Sequence, residues 1–194
     1  MRLNLYQEWE SSQGVSFFLD KVLHERYQIS EKIIQRPDLK IIFLIRQPDR
    51  TLSSLVEMGH RGKLKNLRNP ENALAYYQSR LHSLTRYAEL MEKEYLVVDS
   101  NEIIDKTDIF LKSLSAWLGL PIPLSEHYAQ FKHTGHYGSG DTSTWIRSGV
   151  IKDTRRHQNI EIPSEIIQQA EGCFRSCKEI LLSNCHATTI TAST

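Results

Sequence analysis

Long hydrophobic runs are missing from this chain. Its most apolar stretches, residues 15–19, 41–45 and 95–98, are far shorter than the ~20 residues that cross a bilayer. The opening MRLNLYQEWESSQG lacks the charged-then-apolar layout of a secretion signal, so a cytoplasmic location is expected. Cysteine is scarce and late: Cys173, Cys177 and Cys185 are the only three, an odd number without CxxC pairs. That argues against a disulfide framework and against a structural zinc site, and no metal is expected. Charge of one sign is missing too. The 24 basic residues against 23 acidic ones leave a formal net charge of +1. A nucleic-acid binder would carry a clear basic excess, so any anion site must be local and no nucleic-acid partner is expected.

What remains is an ordinary globular composition, 40% hydrophobic and 24% charged over 194 residues, enough for one domain with a real core. Residues 15–21 (VSFFLDK) read as a short buried strand and 25–36 as a helix stopped by Pro37. Residues 40–46 (KIIFLIR) form a continuous apolar run, which suits a parallel strand covered on both faces. A helix follows over 50–58, then a loop rich in Gly, Lys and Arg over 59–70. Helix-spaced apolar residues from Ala73 to Leu90 predict a long amphipathic helix over 71–94. Residues 94–99 read as a strand, 107–118 as a helix ended by Gly119-Leu120-Pro121, 121–152 as loops, and 160–184 as a last helix. The tail 186–194 is expected to fray. Strands alternating with helices predict a single α/β domain with a parallel sheet.

The residues that promise chemistry run from Arg46 to Ser54. An arginine ends a buried strand, Pro48 opens a turn, and hydroxyls lie on the first turns of the next helix. Ligands of open α/β sheets bind at the carboxyl ends of strands. A guanidinium there offers a planar fork of donors, and the hydroxyls and helix terminus add more. A phosphate suits such an arrangement. The plainer alternative is an Arg46 that pairs with a surface carboxylate.

The run KIIFLIRQPDRTLSS also resembles the signature of the sulfotransferases that use 3′-phosphoadenosine 5′-phosphosulfate. In that signature an apolar strand leads into Arg-x-Pro and a Ser follows eight residues after the Arg, as Arg46 and Ser54 do here. Four further segments resemble the family in the same order. They are Asp20-Lys21 in FFLDKVLHERY, Glu102-Ile103 after the 94–99 strand, FLKSLSAWLGLP, and GDTSTWIRSGVI. The resemblance covers roughly residues 17 to 155.

It implies a three-layer parallel α/β sheet of the P-loop and sulfotransferase type. It also implies a nucleotide sulfate donor as co-substrate. Arg46 and Ser54 would hold the donor's 3′-phosphate, and Arg147, Ser148 and Gly149 would close over it. Lys21 would contact the sulfuryl group, and His24 or a carboxylate elsewhere in the chain would take the proton of a hydroxyl or amine acceptor on a sugar, lipid or small metabolite. For Lys21 a surface ion pair with Asp20 or Glu25 is the competing reading, and for His24 an ordinary surface role. His133 and His136 read as loop residues.

The departures from the family matter as much. No glycine-rich, basic loop of the kind that cradles the 5′-phosphosulfate precedes Asp20, and only nineteen residues stand before it. Ser100-Asn101 replace an aromatic-acidic pair, and His24 lies one place beyond the family's histidine. The fold is therefore expected to be incomplete at its front and the isolated chain to transfer sulfate poorly. Its alternative function is that of a non-catalytic or truncated sulfotransferase-like nucleotide-binding module. A second chain could supply the first strand, and a homo-oligomer stays open.

Overall fold

The computed structural model describes residues 19–22, 29–62, 64–136, 144–153 and 160–190. Among them the sheet has three parallel strands in the order β1–β2–β3: Ile41–Ile45, Tyr95–Asp99 and Ala187–Thr189. β2 is central and every residue in it is buried, as its run YLVVD requires of a strand paired on both edges. Ile45 stands opposite Asp99, so β1 and β2 end side by side.

Strand alternation sorts the side chains into two cores. Phe43, Ile45, Tyr95 and Val97 face a large cluster built with α2 (Pro48–His60), α3 (Pro70–Glu89) and α6 (Ser164–Ser183). Leu96 and Val98 face a smaller one with Phe110 and Leu111 of α5 (Thr107–Leu118), joined by Ile42, Ile151 and Ile190. The result is a sheet between helical layers. No helix among the described residues is long and apolar enough to cross a membrane.

Local chemistry sets the boundaries. Pro48 and Pro70 open α2 and α3 at positions where a missing N–H costs nothing. Asn69 caps α3 by accepting from the backbone N–H of Glu71 and Asn72 at 2.7 and 3.2 Å. Gly119, at φ 71°, ends α5 in the left-handed conformation, and Leu120 N–H reaches back to the Ser115 carbonyl. Asp99 closes β2 and caps the short α4 (Ser100–Asp105) through Asn101 N–H. Cys173 and Cys177 share one face of α6 and pack on α3, meeting Gln78 and Leu81.

Several expectations need correction. Leu19, at the described end of the expected 15–21 strand, is 93% exposed, and residues 19–21 form no strand; the rest of that segment lies outside the described residues. Of the expected 25–36 helix, α1 covers Glu31–Ile34, Ile29 and Ser30 are not helical, and 25–28 lie outside the described residues; at the other end Pro37 disfavours the helical conformation at Arg36. The 59–70 segment is not a free loop: Leu67 is buried on a short 3-10 turn, Lys65–Arg68, and Arg68 Nε donates to the Gly59 carbonyl. β1 is an edge strand among the described residues, and Leu44 is 52% exposed where full cover was expected. Within the 186–194 tail expected to fray, residues 187–189 form β3, and 191–194 lie outside the described residues.

Candidate functional site

The carboxyl ends of β1 and β2 are joined by a network of side-chain hydrogen bonds. Arg46 is the first residue beyond β1. Its backbone is pinned, since Tyr77 Oη on α3 donates to the Arg46 carbonyl at 2.8 Å, and burial holds the Tyr77 phenol well above its ordinary pKa. Its side chain is exposed and its guanidinium makes no hydrogen bond or ion pair among the described residues. Desolvation, and then the neighbouring Arg50, hold the Arg46 pKa below the usual arginine range, with Asp49 pulling the other way. A guanidinium so placed stays charged at any physiological pH.

The turn that follows is fixed from β2. Gln47 Nε2 donates to Asp99 Oδ2 at 3.1 Å, and Lys178 Nζ on α6 reaches the same oxygen at 3.4 Å. The other Asp99 oxygen accepts from Asn101 N–H. Arg50 Nη1 donates to Asn101 Oδ1 at 3.1 Å, so the first turn of α2 is tied to the first turn of α4. Asp99 is the buried carboxylate at the hub, only 7% exposed. An open hollow beside it is lined by Asn101, Glu102, Lys106, Phe110 and Ile190.

Ser54 lies on the second turn of α2, half-buried, and its hydroxyl makes no hydrogen bond among the described residues. Ser53 beside it is committed, donating to the Ile160 carbonyl at 3.0 Å. Arg46 and Ser54 thus both present uncommitted donors from one strand end and the helix it leads into.

Arg147 sits on a 3-10 turn, Thr144–Ser148, exposed and without a hydrogen bond to Arg46 or Ser54. Its side chain runs over Gly135, where a Cβ would come within 2.7 Å of Arg147 Nε. Gly135 also has φ 78°, so two constraints favour glycine there. Ser148 Oγ serves its own turn, donating to the Val150 carbonyl at 2.9 Å. Gly149, at φ 70°, accepts from Tyr128 N–H, and the turn leads into the His127–Val150 bridge. Ile151 then packs against the cluster of Leu96, Val98, Phe110 and Leu111.

Lys21 is exposed; its backbone N–H donates to Asp20 Oδ1 at 2.8 Å, and its ammonium has no partner among the described residues. His24 lies outside the described residues. His133 and His136 are exposed and meet edge to face, ring centroids 6.1 Å apart.

The chain matches no protein-family model, no curated protein and no solved structure. Its chemistry therefore rests on the geometry and the motifs.

Sequence reasoning missed Asp99, Gln47, Lys178 and Asn101. A signal for Asp99 was present: Asp at the end of an apolar strand with Glu102 three residues later is the pattern of a helix N-cap. Lys178 carried none, because only tertiary packing brings α6 to the strand ends.

Proposed function

We propose that this chain is a sulfotransferase-family protein that binds the 3′-phosphate end of 3′-phosphoadenosine 5′-phosphosulfate at the carboxyl end of β1. One observation carries the reading. Arg46 is a backbone-pinned, exposed guanidinium at a parallel-strand end, with no hydrogen bond or ion pair among the described residues. An unpaired cation in that position suits a phosphate ligand. The uncommitted Ser54 hydroxyl and the motif Arg46-x-Pro48 with Ser54 support the same ligand. Arg147, Ser148 and Gly149 are assigned to the closing loop; the Ser148 hydroxyl is used within its own turn, so the contacts left to that loop are Arg147 and backbone N–H groups.

Titration by calorimetry with adenosine 3′,5′-bisphosphate and with adenosine 5′-monophosphate tests the reading. A site that reads the 3′-phosphate binds the bisphosphate at least ~10-fold tighter, the worth of one charge-assisted phosphate contact. Equal affinities would overturn it.

The second reading, a nucleotide-binding module without sulfuryl transfer, is favoured by Lys21. That residue stands in an exposed, strand-free segment rather than in a strand aimed at the site. In a transferase, Lys21 would neutralise charge on the sulfuryl group as its bond to phosphate breaks, and His24 would accept the acceptor's proton. Incubating the purified chain with labelled donor and hydroxyl or amine acceptors separates the two. The module predicts no labelled product above the uncatalysed background, and turnover at ~1 s⁻¹ or faster would establish the transferase.

A further inference from the structure

Arg50 is a further cation at the strand ends beside Arg46 and Lys178, and neither its position in the Arg46–Ser54 motif nor the phosphate reading above gives it a role. It stands on the first turn of α2, close enough to Arg46 to help lower that residue's pKa. Two like charges at one site disfavour each other, and a fold without use for both would pair one with a carboxylate. Here the hydrogen-bond partner of Arg50 is a neutral amide, Asn101 Oδ1 at 3.1 Å. That bond orients the guanidinium, and Arg50 forms no salt bridge among the described residues. The nearest buried carboxylate, Asp99, is already occupied by Lys178, Gln47 and the N–H of Asn101. Asp49, next in sequence to Arg50, is exposed.

We propose that Arg50, aimed by Asn101, is a specificity-determining residue of the anion site. Together with Arg46 it makes the site selective for a dianionic phosphate monoester over a singly charged phosphate diester. The proposal rests on the phosphate reading of Arg46 and names the charge state of the group that site takes. At pH 7.5 a terminal phosphate monoester carries close to two negative charges, since its second pKa is ≈ 6. A diester carries one. A pair of guanidiniums neutralises the first fully and is overcharged for the second. The Asn101 anchor ties the Arg50 fork to the first turn of α4, just beyond the end of β2.

The test uses the purified chain at pH 7.5 with two probes that share base and sugar. They are adenosine 3′-monophosphate, a monoester, and adenosine 2′,3′-cyclic monophosphate, a diester. Wild type should prefer the monoester by ~10-fold or more. Arg50→Gln should lose most of that preference, weakening the monoester by ~10-fold and the diester by less than ~3-fold. Asn101→Asp is the second variant. It turns the neutral anchor into an ion pair, so monoester affinity should fall several-fold while the thermal midpoint stays level or rises. A merely structural Arg50–Asn101 bond would not separate affinity from stability in that way. Wild-type selectivity in Arg50→Gln, with Arg46→Ala still losing the ligand, would overturn this proposal and leave the phosphate reading standing. A wild-type chain that binds neither probe would overturn both.

Discussion

Asp99 stands at the junction of stability and site geometry. Its carboxylate caps α4, holds Gln47 beside Arg46, and receives Lys178 from α6. Asp99→Ala removes a helix cap, worth ~1 kcal/mol. It also removes hydrogen bonds to a charged group, worth ~1.5–3 kcal/mol, so unfolding free energy should fall by about 2–4 kcal/mol in denaturant titration. Cys177 makes a quieter prediction. Burial pushes its thiol pKa up from 9.0 to about 11. The unfolded chain therefore loses this proton at lower pH than the folded chain does. The stability the thiol contributes is fully present below about pH 9 and is lost as pH rises toward about 11. In Cys177→Ala the decline of stability across that window should be shallower than in wild type. An unchanged slope would mean that the thiol titrates alike in both states.

The secondary elements show what a sequence can and cannot declare. α5 was legible to its ends, because a helical apolar pattern closes on Gly119 and a left-handed glycine stops a helix locally. β1 and β2 were legible because continuous apolar runs of strand length leave few alternatives. β3 was not legible. Its run Ala187-Thr188-Thr189 has little apolar pattern, and it becomes a strand only through its partner, with Tyr95 opposite Ala187 and Val97 opposite Thr189. The consequence is testable. A chain ending at Cys185 loses those ladder bonds and the His186 carbonyl that accepts from Tyr95 N–H. At ~0.5–1.5 kcal/mol per bond, its unfolding free energy should fall by about 2 kcal/mol or more. The Tyr95 and Val97 amides should also exchange faster. Wild-type stability in the shortened chain would contradict the strand.

At the scale of the whole molecule, a near-neutral chain sets Arg46 and Arg50 side by side at the carboxyl ends of β1 and β2. The motif Arg46-Gln-Pro48 to Ser54 was visible in sequence because strand, turn and helix are contiguous there. The support for that motif was not, since Tyr77, Asp99, Asn101 and Lys178 come from three other segments that only the fold assembles. The central claim is that this assembly exists to present Arg46 to a phosphate. The most direct measurement is the calorimetric affinity for adenosine 3′,5′-bisphosphate of wild type, Arg46→Ala and Arg46→Lys, with each variant's thermal midpoint as the control for folding. Arg46→Ala should lose about 1.5–3 kcal/mol of binding free energy at an unchanged midpoint. Arg46→Lys should recover only part of that loss, because a point charge cannot reproduce the fork. Wild-type affinity in a folded Arg46→Ala protein would contradict the account.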